Sequence, residues 1–149
     1  MTRNPPAFRR WISFSLADQS YGVDIGRVRE VLADVQIEPV PGAPAAVLGV
    51  INLRGQIVTV LDLRAWLGRE PMTRVARVMV LEHAGAMLGM AVDAVSDVLR
   101  LTAEDIKPVP RSGEGQQPDF IEGLIAREDG LLTLVNFDAL LATESLGGF

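Results

Sequence analysis

Leu48-Gly49-Val50-Ile51-Asn52-Leu53-Arg54-Gly55-Gln56-Ile57-Val58-Thr59-Val60-Leu61-Asp62-Leu63 is the stretch on which the fold turns. Two short apolar runs, Gly49–Leu53 and Gln56–Asp62, are rich in the β-branched residues that suit a pleated, half-buried surface. Arg54-Gly55 between them reads as a tight hairpin turn, with glycine supplying the backbone angle that other residues resist. The same stretch is written twice. Leu48-Gly49-Val50-Ile51 is answered by Glu122-Gly123-Leu124-Ile125, and Thr59-Val60-Leu61-Asp62-Leu63 by Thr133-Leu134-Val135-Asn136-Phe137.

Outward from the hairpin the repetition continues. Tyr21-Gly22 followed by Val28-Arg29-Glu30-Val31-Leu32 matches Leu88-Gly89 followed by Val95-Ser96-Asp97-Val98-Leu99, and Pro39-Val40-Pro41 is echoed by Pro108-Val109-Pro110. The blocks keep their order, and their offset drifts only from 67 to 74. The unit is too long, and two copies too few, for a solenoid. Each half reads as strand, strand, short helix, proline-bounded loop, hairpin. Further strands are expected at Trp11–Leu16, Arg77–Glu82, Met87–Val92 and Leu131–Asn136, with a turn at Arg127-Glu128-Asp129-Gly130. Helices are expected at Gly26–Leu32 and Asp93–Leu99, where apolar residues fall three or four apart, and from an Asn136 cap through Leu141; Pro108 to Pro118 reads as a loop. Short antiparallel strands in so few residues close naturally into a small barrel, which removes exposed edges. The expected organisation is a first β-subdomain over 8–67, a linker over 68–76 and a second β-subdomain over 77–141 within a single domain.

Composition narrows the function. The 149 residues are 48% hydrophobic and 22% charged, as in an ordinary globular protein, and the net charge of −5 argues against nucleic-acid binding and a polybasic membrane anchor. With no cysteine, disulfides and thiolate chemistry are excluded. Arg9-Arg10 before Trp11–Ala17 faintly echoes a signal peptide, but the apolar residues alternate with serines as in a strand, and no apolar run is long enough to span a membrane. The expected location is the cytoplasm.

No catalytic constellation emerges. His83 is the single histidine, so it cannot build a metal site with a second one, and neither a P-loop nor a G-x-S-x-G elbow is present. Asp93 and Asp97, four apart on an expected helix, read better as a helix-start residue and a solvated one than as a catalytic pair. Asp24 and Asp62 stand at strand ends, where carboxylates tie down turns. The expectation is no enzyme, no cofactor and no metal. Glu30, closing the first expected helix, and Arg54, at the hairpin tip beside Val50 and Ile51, stand out as a candidate interface pair. Asp97 and the turn around Arg127 are their counterparts in the second half, so the opposite-charge pair is expected to be duplicated.

Tyr21-Gly22-Val23-Asp24-Ile25, Val28-Arg29-Glu30-Val31, Gly49–Gly55, Ile57–Arg64, Val92–Leu99 and Leu134–Asp138 together resemble the CheW-like coupling proteins of bacterial chemotaxis, from about Phe8 to Leu141. The resemblance implies a mainly β fold of two intertwined five-stranded SH3-like barrels, with short helices and a C-terminal helix. It implies a non-catalytic adaptor between a CheA-type histidine kinase, through the kinase's regulatory CheW-like domain, and the cytoplasmic tips of methyl-accepting chemoreceptors. Such an adaptor would be recruited to arrays at the inner face of the membrane without inserting into it. Carried over by position, Glu30 and Arg54 match the paired residues important for coupling, and Val28, Gly49 and Val98 match contact positions; Asn52 belongs to the same hairpin motif. Ala94, where a glycine is common, and Arg77, where the residue is often aliphatic, depart from the pattern. A coupler of a non-flagellar pathway would carry the same signature. A small-molecule-binding barrel would need convergent polar groups, which the sequence supplies sparingly.

Overall fold

The computed structural model describes residues 8–109 and 120–142, so the loop expected over Pro108–Pro118 lies outside the described residues from Pro110 onward. The elements in chain order are β1 (Arg9–Leu16), β2 (Gln19–Asp24), a 3-10 turn (Ile25–Arg27), β3 (Val28–Ala33), β4 (Val47–Leu53), β5 (Gln56–Asp62) and α1 (Leu63–Trp66). Then follow β6 (Arg77–His83), β7 (Ala86–Val92), β8 (Ala94–Leu101), β9 (Ile121–Arg127), β10 (Gly130–Val135) and α2 (Phe137–Ala142). The strands make two five-stranded sheets, ordered β8-β1-β2-β10-β9 and β3-β6-β7-β5-β4.

With β1–β5 and β6–β10 as the two repeats, each sheet takes a hairpin from one repeat and three strands from the other. Each hairpin sits between two strands of the other repeat, so four pairings are seams, the parallel pairs β2 with β10 and β5 with β7 and the antiparallel pairs β1 with β8 and β3 with β6; every other strand pairing is antiparallel. The barrels are therefore intertwined, and the sequence halves are repeats whose strands are shared between both sheets.

Side-chain alternation then produces three cores from two sheets. On β6, Val78 and Val80 point into their own barrel, while Met79 and Leu81 point at the other one; all four have no exposed surface. Burying such side chains contributes roughly 1.5–3 kcal/mol each. Ile51, Val58, Val60 and Ala91 complete one barrel interior, and Trp11, Ile125, Leu132 and Leu134 fill the other. Between them lies the largest core, where Phe14 stacks on Tyr21 and leans on Phe137, joined by Leu63, Trp66, Met90 and Leu140.

Two expectations are corrected. Gly26–Leu32 and Asp93–Leu99 are not helices; apart from the 3-10 turn they form edge strands β3 and β8. The three-and-four spacing of Val28, Val31 and Leu32 misleads because Val31 sits 39% exposed on the outer face while Val28, Glu30 and Leu32 face inward. On β8 a bulge shifts the register opposite Ser13, whose hydroxyl accepts from the Asp97 N–H (2.9 Å) and donates to the Asp97 carbonyl (3.2 Å). A bulge breaks strict alternation, and the sequence then mimics a helical period. The expected caps do form. Asn136 Oδ1 accepts from the Ala139 N–H (3.1 Å) at the start of α2. Asp62, its counterpart, accepts from Ala65 (3.2 Å) and Met72 (2.8 Å) and so ties down the chain between the repeats. Asp24 likewise accepts from the Gly26 N–H (2.8 Å).

Each barrel closes at the same place. After β3, Glu38 exchanges two backbone hydrogen bonds with Val50 on β4 (2.8 and 2.9 Å), joining the two edges of the sheet. Lys107 and Leu124 repeat the arrangement after β8. The crossing is so tight that a Cβ on Gly49 would stand 2.1 Å from the Glu38 carbonyl oxygen, and on Gly123 2.3 Å from Ile106 Cγ2. Gly49 also has φ +149°, a conformation side chains resist. We expect Gly49→Ala to destabilise the fold by at least about 2 kcal/mol. Gly55→Ala, at φ +86° with open space around it, should cost about 1 kcal/mol. Urea denaturation midpoints of the two variants check the order.

Candidate functional site

The hairpin tip between β4 and β5 is built from its own sequence. Arg54 (φ +50°) and Gly55 (φ +86°) both take left-handed angles, as the twist of a two-residue hairpin requires. Asn52 Oδ1 accepts from the Gly55 N–H (2.8 Å) and holds the turn. The Arg54 side chain, 70% exposed, reaches across to Glu30 on β3. Its two terminal nitrogens address both carboxylate oxygens, one at 3.3 Å and the other closer. Since β3 and β4 are opposite edges of one sheet, this bidentate pair fastens the rim of the barrel above the Glu38–Val50 closure. The hydrogen bond from Arg54 holds the Glu30 carboxyl below the ordinary glutamate range, and Glu30 in turn raises the Arg54 guanidinium.

Five of the six candidate residues gather on this sheet, each in a different setting. Val28 opens β3, half-buried against the central core. Gly49 is buried beneath Ile37-Glu38, Asn52 is engaged in the turn, and Glu30 and Arg54 form the exposed rim pair. Val98 is apart: it lies 54% exposed on β8, in the other barrel. Arg77 begins β6 at the surface and donates to the Ala76 carbonyl.

The charge pair is not duplicated, contrary to the sequence reading. Arg127 approaches Asp129 within its own turn (3.7 Å), and Asp97 is engaged through its backbone with Ser13. By repeat register the counterpart of Arg54 is Glu128, so one hairpin tip is basic and the other acidic. The pair of Asp93 and Asp97 also dissolves. Asp93 accepts from Arg64 (3.1 and 2.5 Å) and from the Ala17 N–H (2.8 Å), a contact between repeats.

The sequence reading overlooked Ile57, 65% exposed beside the Arg54 turn, and its counterpart Leu131, 61% exposed. Both were legible from alternation, because Val58 and Val60, like Leu132 and Leu134, face inward and leave their neighbours outside. Ile57 thus leaves an exposed apolar side chain next to the Arg54 turn, and Val31 leaves another on the face of β3 opposite Glu30. Between the barrel edges Leu32, Val35, Ile51 and Leu53 line an open depression of about 340 Å³ whose polar rim is Gln36, Glu38 and Asn52. Among the described residues no group of three histidine, cysteine or acidic side chains is placed to hold a metal ion.

The lowered carboxyl of Glu30 sets a pH dependence. A depressed carboxylate contributes above the unfolded glutamate range and loses that contribution as pH falls through its folded value. The Glu30–Arg54 contact should thus persist at neutral pH and open only below the ordinary glutamate range. In a carbon NMR titration the Glu30 carboxyl should titrate below the ordinary glutamate range, and Arg54→Ala should raise it.

A family model for the CheW-like domain matches residues 10–145. The probable chemotaxis protein CheW of Rhizobium etli is 37% identical over 140 residues, spanning 92% of this chain and 90% of that one. Protein PilI of Pseudomonas aeruginosa is 32% identical over 127 residues, 82% of this chain and 71% of that one. The crystal structure of the scaffolding protein TtCheW from Thermoanaerobacter tengcongensis superposes with a TM-score of 0.78 at 32% identity, covering 93% of this chain and 94% of that one. Two shared barrels, the duplicated closures and these similarities together place the chain in the CheW-like domain family.

Proposed function

We propose that this protein is a non-catalytic scaffold that couples a CheA-type histidine kinase to the cytoplasmic tips of methyl-accepting chemoreceptors. The observation that carries the reading is likeness along almost the full length to a scaffolding CheW and to a chemotaxis CheW, with the barrel architecture intact. The site supports it. An exposed arginine on a rigid turn, oriented by a carboxylate and with the exposed Ile57 three residues on, is the combination by which an interface gains orientation from charge and affinity from apolar contact.

In this reading Glu30 and Arg54 meet the kinase's regulatory CheW-like domain or the receptor directly, and Val28 and Val98 supply apolar contact. Gly49 and Asn52 act by holding the hairpin and the closure in shape. The halves 8–67 and 77–141, joined by 68–76, work as one body, because neither sheet exists without both. No helix among the described residues is long and apolar enough to cross a membrane. We place the protein in the cytoplasm, drawn to the inner face of the membrane by its receptors. A coupler of a non-flagellar pathway is the second reading, supported by the likeness to PilI. Identity of 37% over 92% of the chain, against 32% over 82%, favours the chemotaxis reading.

The test is co-sedimentation with receptor-bearing membranes and the organism's own kinase, with kinase phosphorylation followed in parallel. The wild type should carry kinase to the membrane and raise its activity. Arg54→Glu should lower recruitment about tenfold, the effect of roughly 1.4 kcal/mol, while its melting temperature stays near that of the wild type. Recruitment by Arg54→Glu equal to the wild type would remove Arg54 from the interface. Absence of recruitment by the wild type would remove the function.

A further inference from the structure

The duplication builds the same junction between the repeats twice, with its charges exchanged. By repeat register Arg64 on α1 corresponds to Asp138 on α2, and the corner Gly26-Arg27 between β2 and β3 corresponds to the corner Asp93-Ala94 between β7 and β8. Ser15 on β1 corresponds in the same way to Glu82 on β6. At the first junction the helix of the first repeat meets the corner of the second. Arg64 donates to both Asp93 carboxylate oxygens (3.1 and 2.5 Å), and the Asp93 N–H donates to the Ser15 carbonyl (3.1 Å). At the second junction the helix of the second repeat meets the corner of the first. Arg27 donates to Asp138 Oδ1 (2.6 Å) and to the Glu82 carbonyl (2.6 Å). Each carboxylate also meets a hairpin tip, Asp93 through the Ala17 N–H (2.8 Å) and Asp138 through His83 Nδ1 (2.8 Å). Both corners reach the same positions on helix and hairpin, but the cation stands on the helix in one clasp and on the corner in the other.

The inversion matters because each clasp joins unlike repeats. Were two first repeats to share hairpins, Arg27 of one would face Arg64 of the other; two second repeats would set Asp93 against Asp138. Only a first repeat paired with a second matches a cation with an anion at both clasps. Other charged groups close by, Asp18 and Asp62 near Arg64, Asp24 near Arg27 and His83 beside Asp138, belong to the same repeat as the residue they accompany and so are present whichever repeat is the partner. Arg29 with Glu82 (3.2 Å) also crosses the boundary, but its counterparts are Ser96 and Ser15, so like pairing would lose that contact without repulsion.

We propose that these oppositely poled clasps determine which repeat each repeat accepts, matching first with second and repelling like from like. The chain holds one of each, so a like partner has to come from a second copy. The clasps therefore keep the chain closed on itself and oppose the exchange of hairpins between identical elements of two copies. The linker over 68–76 makes the remaining choice, holding the unlike repeat of the same chain closer than that of another.

The experiment exchanges charges in the full chain. Arg27→Asp with Asp93→Arg swaps the corners and leaves composition and net charge unchanged. It sets like charges together in the closed chain and matched charges in a dimer paired like with like; an unlike exchange between copies keeps the mismatches and gains nothing. Adding Arg64→Asp and Asp138→Arg swaps the helices as well and restores the match in the closed chain. Each protein is refolded from urea at one concentration, and its dimer fraction is read by analytical ultracentrifugation. One part-exposed pair is weak, but the corner exchange reverses both clasps at once. It should hold about ten times the dimer fraction of the wild type, the shift that roughly 1.4 kcal/mol gives, and the four-substitution variant should return to the wild-type value. Should the corner exchange fail to refold, Arg27→Asp alone is read the same way against Arg27→Asp with Asp138→Arg. A dimer fraction equal to that of the wild type, or dimers that persist once the helix residues are exchanged too, would overturn the proposal.

Discussion

Four strand pairings, β2 beside β10, β5 beside β7, β1 beside β8 and β3 beside β6, are what the rest of this structure depends on. Each brings together strands from different repeats, so neither barrel can form until both repeats are present. A hairpin alone is marginal in water, and β1–β2 and β6–β7 find their stabilising neighbours only across the repeat boundary. The central core follows from the same seams. Strands at the middle of each sheet have one face inside their barrel and the other against the second barrel, which is why β6 is apolar at four successive positions.

This arrangement leaves the outer strands and hairpin tips free to carry function. β3 and the β4–β5 tip pack on one face only, so Glu30, Val31, Arg54 and Ile57 can be exposed without weakening a core. Turn chemistry at Asn52 and Gly55, together with the backbone closure at Glu38 and Val50, fixes the tip from which Arg54 projects. Rigidity beneath and polarity above is the division of labour suited to a surface that must present one orientation to a partner.

Much of this was legible in the sequence, for identifiable reasons. The β4–β5 hairpin announced itself through local turn chemistry, and the duplication survived as four matched blocks in order. The association of Glu30 with Arg54 was anticipated as well, although with Glu30 on a helix, from a hairpin-tip arginine of opposite charge and from the resemblance to the family's paired residues. Strands β3 and β8 were read as helices because an edge strand with an exposed valine and a bulge loses the period of two. The exchange of hairpins between sheets leaves no local trace in composition or spacing. Neither does the meeting of His83 with Asp138, which are 55 residues apart.

The way each sheet borrows a hairpin has an ancestral implication. Cut between the repeats, the chain would give two pieces of the same design, each a hairpin followed by three strands, and each sheet would be a hairpin of one laid on three strands of the other. A single-repeat ancestor could have built the same body as a homodimer by exchanging hairpins between identical subunits. Joining two such copies in one chain makes the partners covalent and releases them from identity. One tip is basic and the other acidic, and Arg64 pairs with Asp93 where, in the other repeat, Asp138 meets His83. The present chain is a dimer that has become free to be asymmetric.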